Sequence, residues 1–93
     1  MQTSNELVLI EGAFNVSDAG RLLYSFIDSK INYHHMEMFS VREQSINADV
    51  SRHEKRISEL KQAREQLKAI LELANKNNKR LLVNSVIKIE WAE

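Results

Sequence analysis

The chain has no proline, and its two glycines, Gly12 and Gly20, both lie in its first quarter. After Gly20 no residue is free of a Cβ and none has a locked φ, so the rest of the chain favours long uninterrupted elements with few tight turns. The spacing of the apolar residues says which elements these are. Ala19, Leu22, Leu23, Phe26, Ile27, Ile31, His34 and Met38 recur at steps of three and four, which places them on one stripe of a helix predicted over residues 17–39. Asn15 or Ser17 can cap its first turn by accepting a backbone N–H bond, and Asp18 suits the positive end of the helix dipole.

A second series, Ile46, Val50, His53, Ile57, Leu60, Arg64, Leu67, Leu71 and Ala74, has a heptad-like period, and Ala63 and Ile70 widen it beyond a narrow coiled-coil seam. Its start is ambiguous, because Ser40 with Glu43 and Ser51 with Glu54 both have the capping-box spacing. The expectation is a connection over 40–50 and a helix over 51–75. The helix is expected to stop in the run NKNNKR, residues 75–80, where an asparagine can take the left-handed cap and Lys76, Lys79 and Arg80 suit the negative end of the dipole. One continuous helix from Ser17 to Ala74 is the rival reading. The two capping signals and the polar run Arg42–Asp49 favour a break.

The flanking segments read as strands. Glu6–Phe14 is short and rich in Val, Ile and Leu, with Gly12 marking a bulge or a close backbone approach. In residues 81–91 the side chains alternate: Leu81, Val83, Ser85, Ile87, Ile89 and Trp91 share one face, and Leu82, Asn84, Val86, Lys88 and Glu90 the other. The predicted fold is α+β, a single domain over residues 1–93 with the order β-α-α-β. Its helices form a long antiparallel hairpin. Its terminal strands, over 6–14 and 81–91, form a two-stranded antiparallel ribbon matched in length to the helices and expected to cover their apolar stripe.

Charge and composition then narrow the functional classes. The formal charge is zero, with residues 1–49 carrying three positive and seven negative groups and residues 50–93 ten positive and six negative. Complementary halves favour packing against each other, within one chain or between two. Zero net charge speaks against a nucleic-acid or anionic-membrane partner, and Tyr24, Tyr33 and Trp91 are not interleaved with the basic residues. A basic strip of Arg52, Lys55, Arg56, Lys61, Arg64 and Lys68 is diluted by glutamates, among them the i, i+4 pairs Lys55–Glu59, Lys61–Glu65 and Lys68–Glu72. No cysteine is present, so disulfides and thiolate chemistry are excluded and the cytoplasm is the expected compartment. The opening MQTSNELVLIEG has no basic leader, and no apolar run is long enough to span a bilayer.

Chemistry-bearing residues concentrate in Lys30–Ser40, KINYHHMEMFS. Its HHMEM matches no metal-binding spacing, since His35 and Glu37, two apart, point to different sides of a helix. A hairpin bending near residues 40–50 would set His53 opposite His34, so His34, His53 and Glu37 form the candidate metal set. The competing reading is a pair of histidines hydrogen-bonded locally at a helix interface. No nucleophile elbow or phosphate-binding glycine loop occurs. The expectation is therefore no enzyme, no cofactor and no bound metal. A two-stranded ribbon is marginal alone and the helix pair is apolar beyond its seam, so a homo-oligomer, most simply a dimer, is expected. Its role would be that of an adaptor or structural interaction protein, with a metal- or ligand-sensing regulator as the alternative. Arg64, on the stripe where leucine would fit, is expected either to snorkel or to pair with Asp28 or Glu37.

Overall fold

The structure is a computed structural model and describes residues 4–92. Its order is β1 (Ser4–Phe14), α1 (Val16–Gln44), α2 (Ser51–Lys76) and β2 (Leu81–Glu90). The α+β arrangement is the one expected: the helices fold back as an antiparallel hairpin and β1 pairs antiparallel with β2 in a two-stranded sheet. The acidic half of the chain thus lies against the basic half, strand on strand and helix on helix.

Local chemistry accounts for the element ends. Asn15 caps α1, its Oδ1 accepting from the Asp18 backbone N–H at 2.7 Å. The helix then runs through Ser40 and Glu43 to Gln44, five residues beyond the expected end at 39. Ser40–Glu43 is therefore helix interior and not a capping box. Neither does Ser51 cap α2: it is the first helical residue, Val50 is the N-cap, and Asp49 Oδ1 accepts from the Ser51 N–H at 2.9 Å. That bond holds the Asp49 carboxyl below its ordinary range, because a backbone N–H stabilises its charge. Ile46 lies in this turn and is 85% exposed, so its place in the heptad series is corrected. At the other end of α2 Asn78 adopts φ +53°, with Lys79 N–H bonded to Ala74 C=O at 2.9 Å and Asn78 N–H to Asn75 C=O at 3.2 Å. This is a Schellman cap with asparagine in the place of glycine.

In the ribbon Val8 pairs with Val86 and Ile10 with Ser85, leaving Leu9 as the extra residue of a bulge. The bulge is thus not at Gly12, which pairs with Val83 and has φ +148°, a backbone region that disfavours any side chain. Partners across the ribbon share a face, so Phe14 with Leu81, Gly12 with Val83 and Ile10 with Ser85 point inward, as do Leu7 with Ile87 and Asn5 with Ile89. The outer face carries Glu6 with Lys88 and Glu11 with Asn84.

The core sits where all four elements meet. Ala19, Leu67 and Leu71 are buried there, with Phe14, Val16, Leu23, Tyr24, Ile27 and Leu81 packed against them. Gly20 lets the helices approach: a Cβ on it would stand 3.2 Å from Leu71 Cδ1. Arg80 ties the strands at this root by donating to the Ala13 carbonyl at 2.9 Å. The ribbon does not lie along the helices as their matched lengths suggest. A 29-residue helix is about 44 Å long, and a helix pair is about 15 Å wide in its backbone. The molecule measures 51 × 39 × 15 Å, so its second dimension comes from the ribbon swinging away from the hairpin. No helix is long and apolar enough to cross a membrane among the described residues.

Candidate functional site

Along the seam between α1 and α2 two side-chain groups stand out. Near the bend, His34 and His53 face each other with Nδ1 to Nδ1 at 2.9 Å and ring centroids 5.2 Å apart. At that distance one Nδ1 carries a hydrogen and the other accepts it. Tyr33 meets His34 edge-on at 5.2 Å between centroids, and Lys30 Nζ stands 5.2 Å from the Tyr33 ring centroid. His34 is held below the usual histidine range, first by its loss of water at the seam and then by the positive charge of His53, Lys30 and Arg56. Glu37 acts the other way.

The hairpin thus brings together two of the three candidate metal residues. Glu37, one turn beyond His34, is half-buried but does not join the contact, and among the described residues no group of three ligating side chains gathers around any point. Two imidazole nitrogens bound to one metal at about 2.1 Å with a tetrahedral angle lie roughly 3.4 Å apart. The observed pair would need to open slightly, with water or another chain supplying the remaining donors. His35 is exposed, as its place off the stripe implies.

Midway along the seam Arg64 donates from Nε to Asp28 Oδ1 at 2.9 Å and from Nη2 to Oδ2 at 3.5 Å, while its Cζ lies 4.7 Å from the Tyr24 ring centroid. Of the two readings open from the sequence, the structure shows pairing, with Asp28 and not Glu37. The hydrogen bonds and charge of Asp28 push the guanidinium further above its already high range. These three residues close one side of the helix pair. The lysine-first pairs on α2 do not close: the ion pair on that helix is Arg56–Glu59, at 3.8 Å.

On the opposite side of the helix pair the surface is apolar and open. Ile70 and Leu73 line, with Ala74 and Leu81, a cleft of about 440 Å³. Phe26, with Leu9, Ile10, Leu23 and Ile87, lines another of about 370 Å³. The two clefts flank the root of the ribbon, and Tyr33, seven residues after Phe26, extends the same stripe toward the bend. Beyond its root the ribbon's inner face is bare. Ile10 is 6% exposed, but Ile87 on the same face is 41% exposed.

The sequence pattern singles out neither Leu73 nor the ribbon tip as functional. The signal is present as apolar residues in excess of one seam, but nothing in the spacing tells how far a ribbon stays on its helices. No family model, curated protein or solved structure matches the chain.

Proposed function

We propose that this chain is a cytoplasmic, non-enzymatic protein that acts through self-association, as the dimeric core of an adaptor or structural assembly. The supporting observation is its surface. A compact monomer of 10.8 kDa exposes about 5,500 Å², whereas this chain exposes 7659 Å². Its radius of gyration is 17.0 Å, against about 12 Å for a compact domain of its length. The surplus includes apolar faces of the kind that monomers rarely leave in contact with water. Sedimentation at micromolar concentration tests the reading. A mass of twice the chain's 10.8 kDa is expected; a folded species of single-chain mass refutes self-association.

A second reading, a metal- or ligand-sensing regulator, is favoured by the His34–His53 contact alone. It predicts that zinc or nickel raises the unfolding temperature of the wild-type protein and not of His34→Ala or His53→Ala. Equal behaviour of all three with metal removes it.

A further inference from the structure

Self-association leaves open which surfaces meet, and any assignment of those surfaces rests on that reading. Two apolar surfaces are uncovered, and they differ in kind. One is the inner face of the ribbon tip, where Leu7, Leu9, Ile87 and Ile89 are between 41% and 51% exposed. The other is the ribbon side of the helix pair, where Phe26, Tyr33, Ile70 and Leu73 are between 43% and 62% exposed. Within one copy both surfaces run outward from the root and diverge, so neither closes on the other. We propose that two copies exchange cover about a two-fold axis, the inner face of each ribbon tip lying on the ribbon side of the partner's helix pair.

Area decides between this arrangement and the simpler stack of two ribbon tips. Two strands of five residues have a footprint of about 160 Å², from a spacing near 4.8 Å and a rise near 3.3 Å. Stacking two such tips leaves both helix faces bare. A standard interface buries about 800 Å² per partner and obligate dimers bury more, and this chain's surplus over a compact monomer is roughly 2,000 Å². The exchange engages both surfaces, and two-fold symmetry uses each of them twice. The pairing sets the two faces of the tip apart: the outer one places the charged Glu6–Lys88 pair beside Val8–Val86, while the inner one carries Leu7 opposite Ile87 with no charged side chain.

Two-fold exchange makes a specific demand on variants. Ile87→Asp spoils the ribbon and Leu73→Lys spoils the helix face, so each alone should be monomeric. Mixed, they should form a heterodimer, because one of its two contacts is wild type and the other sets the two introduced charges, opposite in sign, against each other. Native mass spectrometry of the full-length proteins separates these species. A wild-type monomer refutes self-association itself. A wild-type dimer in which Leu73→Lys stays dimeric, or in which the two variants do not complement, keeps self-association and overturns the exchange. Val86→Asp, on the outer face of the same strand, should remain dimeric, and its dissociation would overturn the assignment to the inner face.

Because a charge at position 87 also burdens the fold of the strand, a milder pair provides the second test. The chain has no cysteine, so Ile87→Cys and Leu73→Cys proteins, mixed with a short bis-maleimide, should link to each other in preference to themselves. Folded proteins that give no mixed product overturn the proposal.

Discussion

The root of this molecule and the two arms that leave it are made from the same elements, yet water treats them differently. At the root Phe14 and Leu81 pack on Ala19, Leu67 and Leu71. Along the ribbon arm the same inward face continues through Leu7 and Ile87, and along the helix arm the ribbon side of α1 continues through Phe26 and Tyr33, all exposed. The residue types hardly change from root to arm; the geometry does. A ribbon and a hairpin that diverge from a shared end can cover each other only near that end. Apolar patterning therefore says which face seeks cover, and not whether one chain can provide it.

The largest expected effect probes the root. Leu71→Ala removes a buried side chain that fills the approach of α1 to α2 beside Gly20, and should destabilise the protein by about 2–5 kcal/mol. The loss should be the same at every protein concentration. Ile87→Ser, on the arm, should instead abolish the dependence of the urea midpoint on concentration that a dimer imposes. Unfolding curves at concentrations about tenfold apart separate the two. If Ile87→Ser lowers the midpoint equally at both and leaves its concentration dependence intact, the root and the arm are energetically alike and the comparison fails.

The same contrast explains what is legible in the sequence. Period and capping chemistry are local, so the order of elements, a left-handed asparagine at the end of α2 and the two faces of β2 can be read directly, whereas the α2 start stays open between two equal capping-box spacings and neither serine turns out to be the cap. The end of α1 cannot be read either. With no glycine or proline to stop it, the helix continues until Ser45 turns extended, and a capping box inside a helix has the same spacing as one at its start. Ile46 keeps the heptad step but falls in the turn, because period does not register a break. The bulge escapes the sequence because Gly12 advertises backbone freedom, whereas the extra residue, Leu9, needs no positive φ to be one. At the candidate site, the step from helix spacing to hairpin sets His53 opposite His34, but the absence of Glu37 from the contact depends on rotation about the helix axis. The swing of the ribbon depends on packing at the root and leaves no trace in spacing.

A smaller effect concerns the helix arm, where the seam changes from leucine and alanine to His34 and His53. The folded protein holds His34 below its ordinary 6.5, so between that value and the lowered one the unfolded chain binds more protons than the folded one. The contribution is thus fully present above pH ~6.5 and lost as pH falls through the folded-state value. Urea midpoints measured between about pH 8 and pH 5 should drop on the acid side in the wild-type protein, and less in His34→Gln, which has no proton to gain. An unchanged acid slope in His34→Gln would place the sensitivity elsewhere. A seam near the root, lined by Leu67, Leu71 and Ala19, offers no such group, so acid should loosen the bend before the root. Hydrogen exchange at Ile31–Met38 and at Leu67–Leu71 can follow the two separately.

The smallest effect lies between root and bend, at Arg64. Its fork on Asp28 and its stacking on Tyr24 look like a lock on the helix register, but both charged partners are about half exposed. An exposed pair gives up hydration and side-chain freedom for modest attraction and is screened by salt. Arg64→Leu should therefore change the urea midpoint little at physiological salt, and the difference from wild type should narrow further in high salt. Leucine at this stripe position also supplies apolar contact that arginine gives only through its stem. The measurement that matters is assembly. If Arg64→Leu leaves the sedimenting mass unchanged, the closed side of the hairpin is held by packing and the ion pair is incidental to register. If it yields mixed or larger species, Arg64 selects the side on which the ribbon swings, and the open face exists because the other one is guarded.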